Sequence, residues 1–397
     1  CICHYYYAQH HAQCCKNGCF EPAKPKSYSS QGPANKLNST GNYYRDVLRN
    51  RHGSDVWARQ DIAREQRYKR IRCSINMPLI RSSYPGPPTY QYNGHLQTII
   101  PSLTRVVTGV TYERERLTLS DGDFVDLDWI DKGQKQLLVL THGLEGDSNR
   151  QYIRGTAKLF SEHGYDVLAW NCRSCSGEMN QAFRLYNHGE IGDLGEVIQR
   201  ALQRKAYHKI VLVGYSMGGN ITLKYLGVYG KQLPEPVKGG IAISAPTDLG
   251  ASAVLLDRAA NWFYRKRFMK KLIVKISEKD ARYPGRLDMS KLQQVKQWRD
   301  FDEFFSAPVN SYRDADDFYT QASAVNFMPG IAVPALLLNA QNDPLLSPEC
   351  SPAWLAETHK QIFLETPQKG GHVGFQVVRD EYTYAERTAL SFAQNIC

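Results

Sequence analysis

The chain has 397 residues, 42% of them hydrophobic, and carries 49 Lys and Arg against 39 Asp and Glu, a formal net charge of +10. Residues 1–76 hold 13 of those bases against 5 acids, which leaves 36 against 34 in the rest, so the charge gives no case for nucleic-acid binding by the folded body. Cys172, Cys175, Cys350 and Cys397 are too few for a disulfide framework in a body of that size and suit a reducing, cytoplasmic setting.

Residues 1–76 have neither helical nor strand periodicity and are rich in Pro, Ser, Asn and Lys. This stretch is expected to be disordered, or to be upstream sequence outside a natural product that starts at Met77. Its Cys and His residues lack paired C-x-x-C spacing, which argues against zinc, and the basic run 64–72 reads as solvated charge. Neither a metal nor another cofactor is expected. No apolar run reaches the roughly 18 to 20 residues needed to span a membrane.

From Met77 the texture changes. Residues 77–103 read as an extended lead-in punctuated by prolines. Residues 116–119 and 124–130 alternate about Asp121-Gly122, a hairpin signal. Apolar strand patterns at 137–140, 166–170, 210–213 and 240–244 then take turns with helical patterns at 152–163, 194–204 and after Ser216. Short connections between such elements imply an α/β fold, a mostly parallel sheet with helices on both faces. Residues 250–327 break the alternation and are expected to form a helical cap, inserted before a strand at 335–338. A helix at 353–359, a strand at 362–364 and a helix at 382–393 close the chain.

Between strand 210–213 and its helix lies Gly214-Tyr215-Ser216-Met217-Gly218. A serine at the tip of a strained strand-to-helix turn needs near-absent side chains two residues either side, and glycine supplies them. Ser216 is therefore the candidate nucleophile. Its hydroxyl needs a base, and the base needs a buried acid to hold its tautomer. Asp343, just past strand 335–338, and His372, in Lys369-Gly-Gly-His-Val-Gly-Phe after the last strand, follow in the order Ser, Asp, His used by α/β-hydrolases. Asp248 is the competing acid.

Acyl transfer also requires two N–H groups aimed at an oxyanion. Met217 N–H is the first candidate and Leu144 N–H, in Thr141-His-Gly-Leu-Glu-Gly, the second. Cys172-Arg-Ser-Cys175 has redox spacing but reads as two ordinary cysteines. In 262–277, Trp262, Met269, Leu272, Ile273 and Ile276 share one helical face, and Arg265, Lys266, Arg267, Lys270, Lys271 and Lys275 surround the other. Such a helix reads first as a solvated cap element, and second as a contact with an anionic membrane surface.

Together these motifs resemble the YheT-like branch of the α/β-hydrolases, whose eukaryotic relatives include fatty-acid ethyl-ester synthase/esterases and monoacylglycerol lipases. The matching stretches are Asn93-Gly-His-Leu-Gln-Thr-Ile, His142-Gly-Leu-Glu-Gly, Asn171 with Arg173, Gly214-Tyr-Ser-Met-Gly-Gly-Asn, Phe301-Asp-Glu-Phe-Phe-Ser-Ala-Pro, Asp316-Asp-Phe-Tyr and Gly370-Gly-His-Val-Gly-Phe. The resemblance implies an α/β-hydrolase fold, Ser216, Asp343 and His372 as a triad, and an esterase or lipase acting on a small-molecule ester or lipid. Where the family usually has Phe and Gly about the arginine, this chain has Cys172 and Ser174. An ester synthase using the same triad is the nearest alternative reading, and a non-catalytic lipid-binding or scaffold protein the alternative of another class.

Overall fold

A computed structural model describes residues 79–396. The readings made for residues 1–76, the start at Met77 among them, lie outside the described residues. In chain order the elements are β1 (Leu79–Ile80), α1 (Gly94–Thr104), β2 (Glu113–Thr118), β3 (Phe124–Ile130), β4 (Gln136–Thr141), α2 (Gln151–Glu162), β5 (Tyr165–Asn171), α3 (Gly192–Arg204), β6 (Lys209–Tyr215), α4 (Met217–Tyr229) and β7 (Val237–Ile243). There follow α5 (Leu249–Leu256), α6 (Trp262–Arg282), α7 (Trp298–Phe301), α8 (Ala307–Val309), α9 (Ala315–Ala322), β8 (Ala335–Leu338), α10 (Ala353–Thr358), β9 (Ile362–Glu365) and α11 (Tyr384–Asn395).

The nine strands form one sheet in the order β1-β9-β8-β7-β6-β4-β5-β3-β2, parallel except where the β2–β3 hairpin joins β5. Its central strands are apolar without alternation because helices cover both faces. Leu137 and Val139 pack with Leu194, Val197 and Ile198 of α3 on one side, while Leu138 and Leu140 pack with Ile153, Ala157 and Phe160 of α2 on the other. Each of the larger of these side chains, Leu, Ile, Val or Phe, contributes about 1.5 to 3 kcal/mol on burial. This sheet holds the C-terminal ends of β4, β6, β7 and β8 side by side, which is where loop residues can converge.

The lead-in is not wholly extended. β1 adds to the sheet edge beside β9, and Gly94–Thr104 is a helix whose N-cap, Asn93, accepts the Leu96 N–H at 2.9 Å. Pro101 within it disguises the helical pattern.

Between β7 and β8 the chain is helical, as expected, and this cap has apolar cores of its own. One gathers Leu249, Ala253, Leu256, Trp298 and Phe318; the other gathers Ile276, Phe301, Phe305 and Val309 and is completed by Leu185 from the loop after β5. The faces of α6 differ from those expected. Ile276 is buried with Met269, Leu272 and Ile273 against it, but Trp262 is 56% exposed, while Lys275 turns inward to Glu145 at 2.9 Å. Lys279 is buried and donates to the carbonyl of Asn180 at 2.8 Å. Lysine turns inward here because carbonyls and a carboxylate meet its ammonium group while its stem packs on apolar neighbours.

Candidate active site

Ser216 stands at the turn between β6 and α4 with φ +54° and ψ −120°, a conformation costly for any residue with a Cβ. It is held there by its own backbone: its N–H donates to the Ile243 carbonyl at 2.8 Å and its carbonyl accepts from Gly219 and Asn220. The two flanking glycines are dictated by contact. A Cβ on Gly214 would lie 2.0 Å from the carbonyl oxygen of Gly218, and one on Gly218 would lie 2.2 Å from that of Thr141. Asn220 ties α4 to the cap, donating to the carbonyls of His188 and Ala322 and accepting the Ala324 N–H.

The structure brings Ser216, Asp343 and His372 together from loops after β6, β8 and β9. His372 Nε2 lies 2.9 Å from Ser216 Oγ, and its Nδ1 lies 2.8 Å from Asp343 Oδ2. The Asp343 carboxylate is wholly buried, and its Oδ1 accepts the Leu345 N–H at 2.8 Å. A carboxylate facing Nδ1 holds the proton on that nitrogen and leaves the Nε2 lone pair toward the hydroxyl. Asp248 is elsewhere: it caps α5 by accepting the Ala251 N–H at 3.0 Å.

The two N–H groups considered for an oxyanion are both without an acceptor among the described residues. Met217 opens α4, where the helix leaves its first N–H groups unpaired and partly positive. Of residues 143–145 in the 141–146 loop, the Gly143 N–H is taken by the Tyr152 hydroxyl at 3.1 Å and the Glu145 N–H by that of Tyr186 at 3.0 Å, which leaves Leu144 N–H. This loop is fixed by buried His142. Its Nε2 accepts the Cys172 N–H at 3.0 Å and its Nδ1 donates to the Gly143 carbonyl at 2.8 Å. Burial lowers its pKa from 6.5 to about 4, which keeps the ring neutral.

Other residues that set this geometry carried no assigned role in the sequence. Gln97 Oε1 accepts from the Gly370 N–H at 2.8 Å and from Asn342 Nδ2 at 2.9 Å, bridging the acid loop and the histidine loop. Thr98 Oγ1 accepts the His372 N–H at 2.8 Å. Both lie on α1 within the Asn93-Gly-His-Leu-Gln-Thr stretch, and the fit is tight enough that a Cβ on Gly371 would lie 2.7 Å from that of Gln97. The capping Asn93 signals the helix that carries them, but not the loops they reach.

Arg173 is not a pocket residue. It is fully buried, bidentate to Asp193 at 2.7 and 2.8 Å and bonded to Asp123 at 2.7 Å, so it anchors the loop after β5. Ser174, where the resembling family has glycine, keeps the left-handed φ of +62°. Cys172 and Cys175 are free thiols. Among the described residues no group of His, Cys, Asp and Glu is placed to hold a metal ion, and no helix is long and apolar enough to cross a membrane.

Two cavities meet at Ser216 and His372. The first, about 1040 Å³ with its mouth, lies beneath the cap among Leu249, Leu256, Phe268, Leu272, Ile276 and Phe318. The second, about 930 Å³, opens between α1 and α6 and is lined by Thr98, Ile99, Tyr152, Tyr264 and three cationic side chains, Arg150, Arg267 and Lys271. Leu144 lines both.

Comparison with known proteins agrees with this architecture. The family model described as "alpha/beta hydrolase fold" matches residues 136–376. The esterase-named YheT of Escherichia coli strain K12 is 35% identical over 71% of this chain and 84% of its own length. "Phospholipase ABHD3" of Mus musculus is 26% identical over 80% and 79% respectively, and "Medium-chain fatty acid ethyl ester synthase/esterase 2" of Saccharomyces cerevisiae 27% over 69% and 64%. A nine-stranded, mostly parallel sheet with helices on both faces, a glycine-flanked serine at its strand-to-helix turn, and these matches together mean that the chain belongs to the α/β-hydrolase family.

Proposed function

We propose that this hydrolase cleaves carboxylic esters of short to medium acyl chains, monoacylglycerol-like lipids included, through an acyl-enzyme on Ser216. The observation that carries the reading is the unbroken chain of hydrogen bonds from Ser216 Oγ through His372 to buried Asp343, set where two cavities meet. His372 Nε2 takes the hydroxyl proton as Oγ bonds to the ester carbon. The resulting oxyanion faces the N–H groups of Met217 and Leu144, each worth about 3 kcal/mol in comparable sites. As the carbonyl reforms, the alcohol leaves with the proton from His372. Water then repeats the sequence, its proton passing to His372 and back to Ser216 while the acid departs. The apolar cavity beneath the cap suits the acyl chain, and the names borne by YheT and the phospholipase fit an ester bond as the target.

An alcohol in place of water would make the same site an ester synthase, a reading favoured by the double activity in the yeast relative's name. A peripheral contact with an anionic membrane is supported by Trp262 and Phe263, 56% and 42% exposed at the start of α6 beside Lys266 and Lys270.

The test is a panel of p-nitrophenyl esters from acetate to palmitate, with and without ethanol. We expect turnover with a maximum at short to medium chains and its loss in Ser216→Ala. Equal turnover by wild type and Ser216→Ala would sink the proposal.

A further inference from the structure

The geometry points to an anion-binding subsite in the second cavity, so that the preferred ester carries a negatively charged group, phosphate or carboxylate, on its alcohol portion. This rests on the ester-hydrolase reading above and adds the class of leaving group to it.

The two cavities that share Ser216 and His372 differ in chemistry. The one beneath the cap is lined mostly by apolar side chains. The other brings Arg150 from the start of α2 together with Arg267 and Lys271 from α6. None of the three forms an ion pair among the described residues. Arg150 and Lys271 donate only to the backbone carbonyl of Glu145, at 2.8 and 3.2 Å, and Arg267 has no acceptor. The one carboxylate lining this cavity, that of Glu145, is already committed to Lys275 at 2.9 Å and to the Tyr186 hydroxyl at 2.5 Å. Lys271 has its pKa lowered, first by burial and then by the positive charge of Arg150.

Three cations gathered without a counter-charge repel one another, and the fold gains nothing from that unless an anion joins them. Arginine is also the side chain suited to planar, bidentate recognition of phosphate or carboxylate. The position fixes which part of the substrate meets them. With the acyl chain in the apolar cavity, the alcohol leaves on the side of His372 that returns its proton, and Thr98, which holds the His372 N–H, lines the cationic cavity.

Two matched, water-soluble esters test this: 1-hexanoylglycerol and 1-hexanoylglycerol 3-phosphate, both as monomers in solution. We expect kcat/KM to favour the phosphate ester. The ratio should fall about tenfold in Arg267→Gln/Lys271→Gln, the loss of roughly one charge-assisted hydrogen bond, and recover in large part in Arg267→Lys. Glycerol 3-phosphate should compete with substrate in the wild type far better than glycerol does. An unaltered ratio in the double variant, with Ser216 still labelled by a fluorophosphonate, overturns the subsite alone. A preference for the phosphate ester seen only on anionic vesicles, never with the monomers, also overturns it by moving the charge requirement to the bilayer. Absence of both labelling and turnover overturns the hydrolase reading and the subsite with it.

Discussion

The strand ends that carry Ser216 and the cap above them are held by different physics. At the strand ends, backbone meets backbone: Gly214 against Gly218, Gly218 against Thr141, Gly94 against Asn342, each with a carbonyl oxygen within about the length of a bond and a half of where a Cβ would stand, 2.0 to 2.2 Å. In the cap, side chains interdigitate, and side-chain ties such as Asn220 to the Ala322 carbonyl, the Lys275–Glu145 pair and Lys279 to the Asn180 carbonyl join it to the rest of the domain. A backbone-defined site tolerates almost no change in shape, whereas side-chain packing tolerates volume-conserving exchange. Chemistry is therefore expected to be lost abruptly by changes at the strand ends and selectivity to drift with changes in the cap.

The sharpest way to break that contrast is at the buried acid. Asp343→Asn leaves the packing nearly isosteric yet presents an amide to Nδ1, so kcat should fall by about 10⁴-fold with little change in thermal stability. Steady-state kinetics and a melting curve on the same sample check both halves. Gly218→Ala drives a methyl into the Thr141 carbonyl and should destabilise the protein by about 3 kcal/mol while abolishing turnover. Urea unfolding measures the first effect.

Acid tests the loop that carries Leu144. His142 is neutral in the folded state, with its pKa lowered from 6.5 to about 4. As pH falls below 6.5 the unfolded chain takes up this proton first, so the contribution is complete above that pH and is lost as pH falls towards 4. Other buried groups titrate in the same range, so the comparison is with His142→Gln, in which about 2 kcal/mol of the wild type's loss between pH 6.5 and roughly pH 5 should be missing. Parallel denaturant curves at the two pH values measure it; identical slopes in both proteins would contradict the assignment.

The smallest effect belongs to the cap. Leu272→Trp fills part of the apolar cavity, and the ratio of hexanoate to decanoate ester cleavage should rise about tenfold with labelling of Ser216 retained, a shift within the range of hydrophobic pocket contacts. A matching loss on both esters would mean that the cap shapes the chemistry too.

The same contrast explains what was legible in the sequence. Strands β4 to β8, the β2–β3 hairpin and the helices between them follow from apolar runs and turn chemistry, and Ser216, Asp343 and His372 follow from their places after strands. Those features are local. Helix α1 was read as extended because Pro101 and the prolines before it outweighed its cap at Asn93, and no local pattern says that Gln97 will reach the loops of both Asp343 and His372. The faces of α6 were misjudged for a related reason. A period of 3.6 tells which residues share a face but not that Lys275 and Lys279 will find Glu145 and the Asn180 carbonyl within the fold. Arg173, Asp123 and Asp193 come from three separate elements, so their buried cluster exists only once the chain has closed on itself.

The central claim concerns one oxygen atom. Intact-mass and peptide mass spectrometry after brief exposure to a fluorophosphonate should find a single adduct on Ser216, formed much more slowly in His372→Ala and absent in Ser216→Ala. An unmodified Ser216 in active wild-type protein, or an adduct on another residue that accounts for the loss of activity, would contradict it.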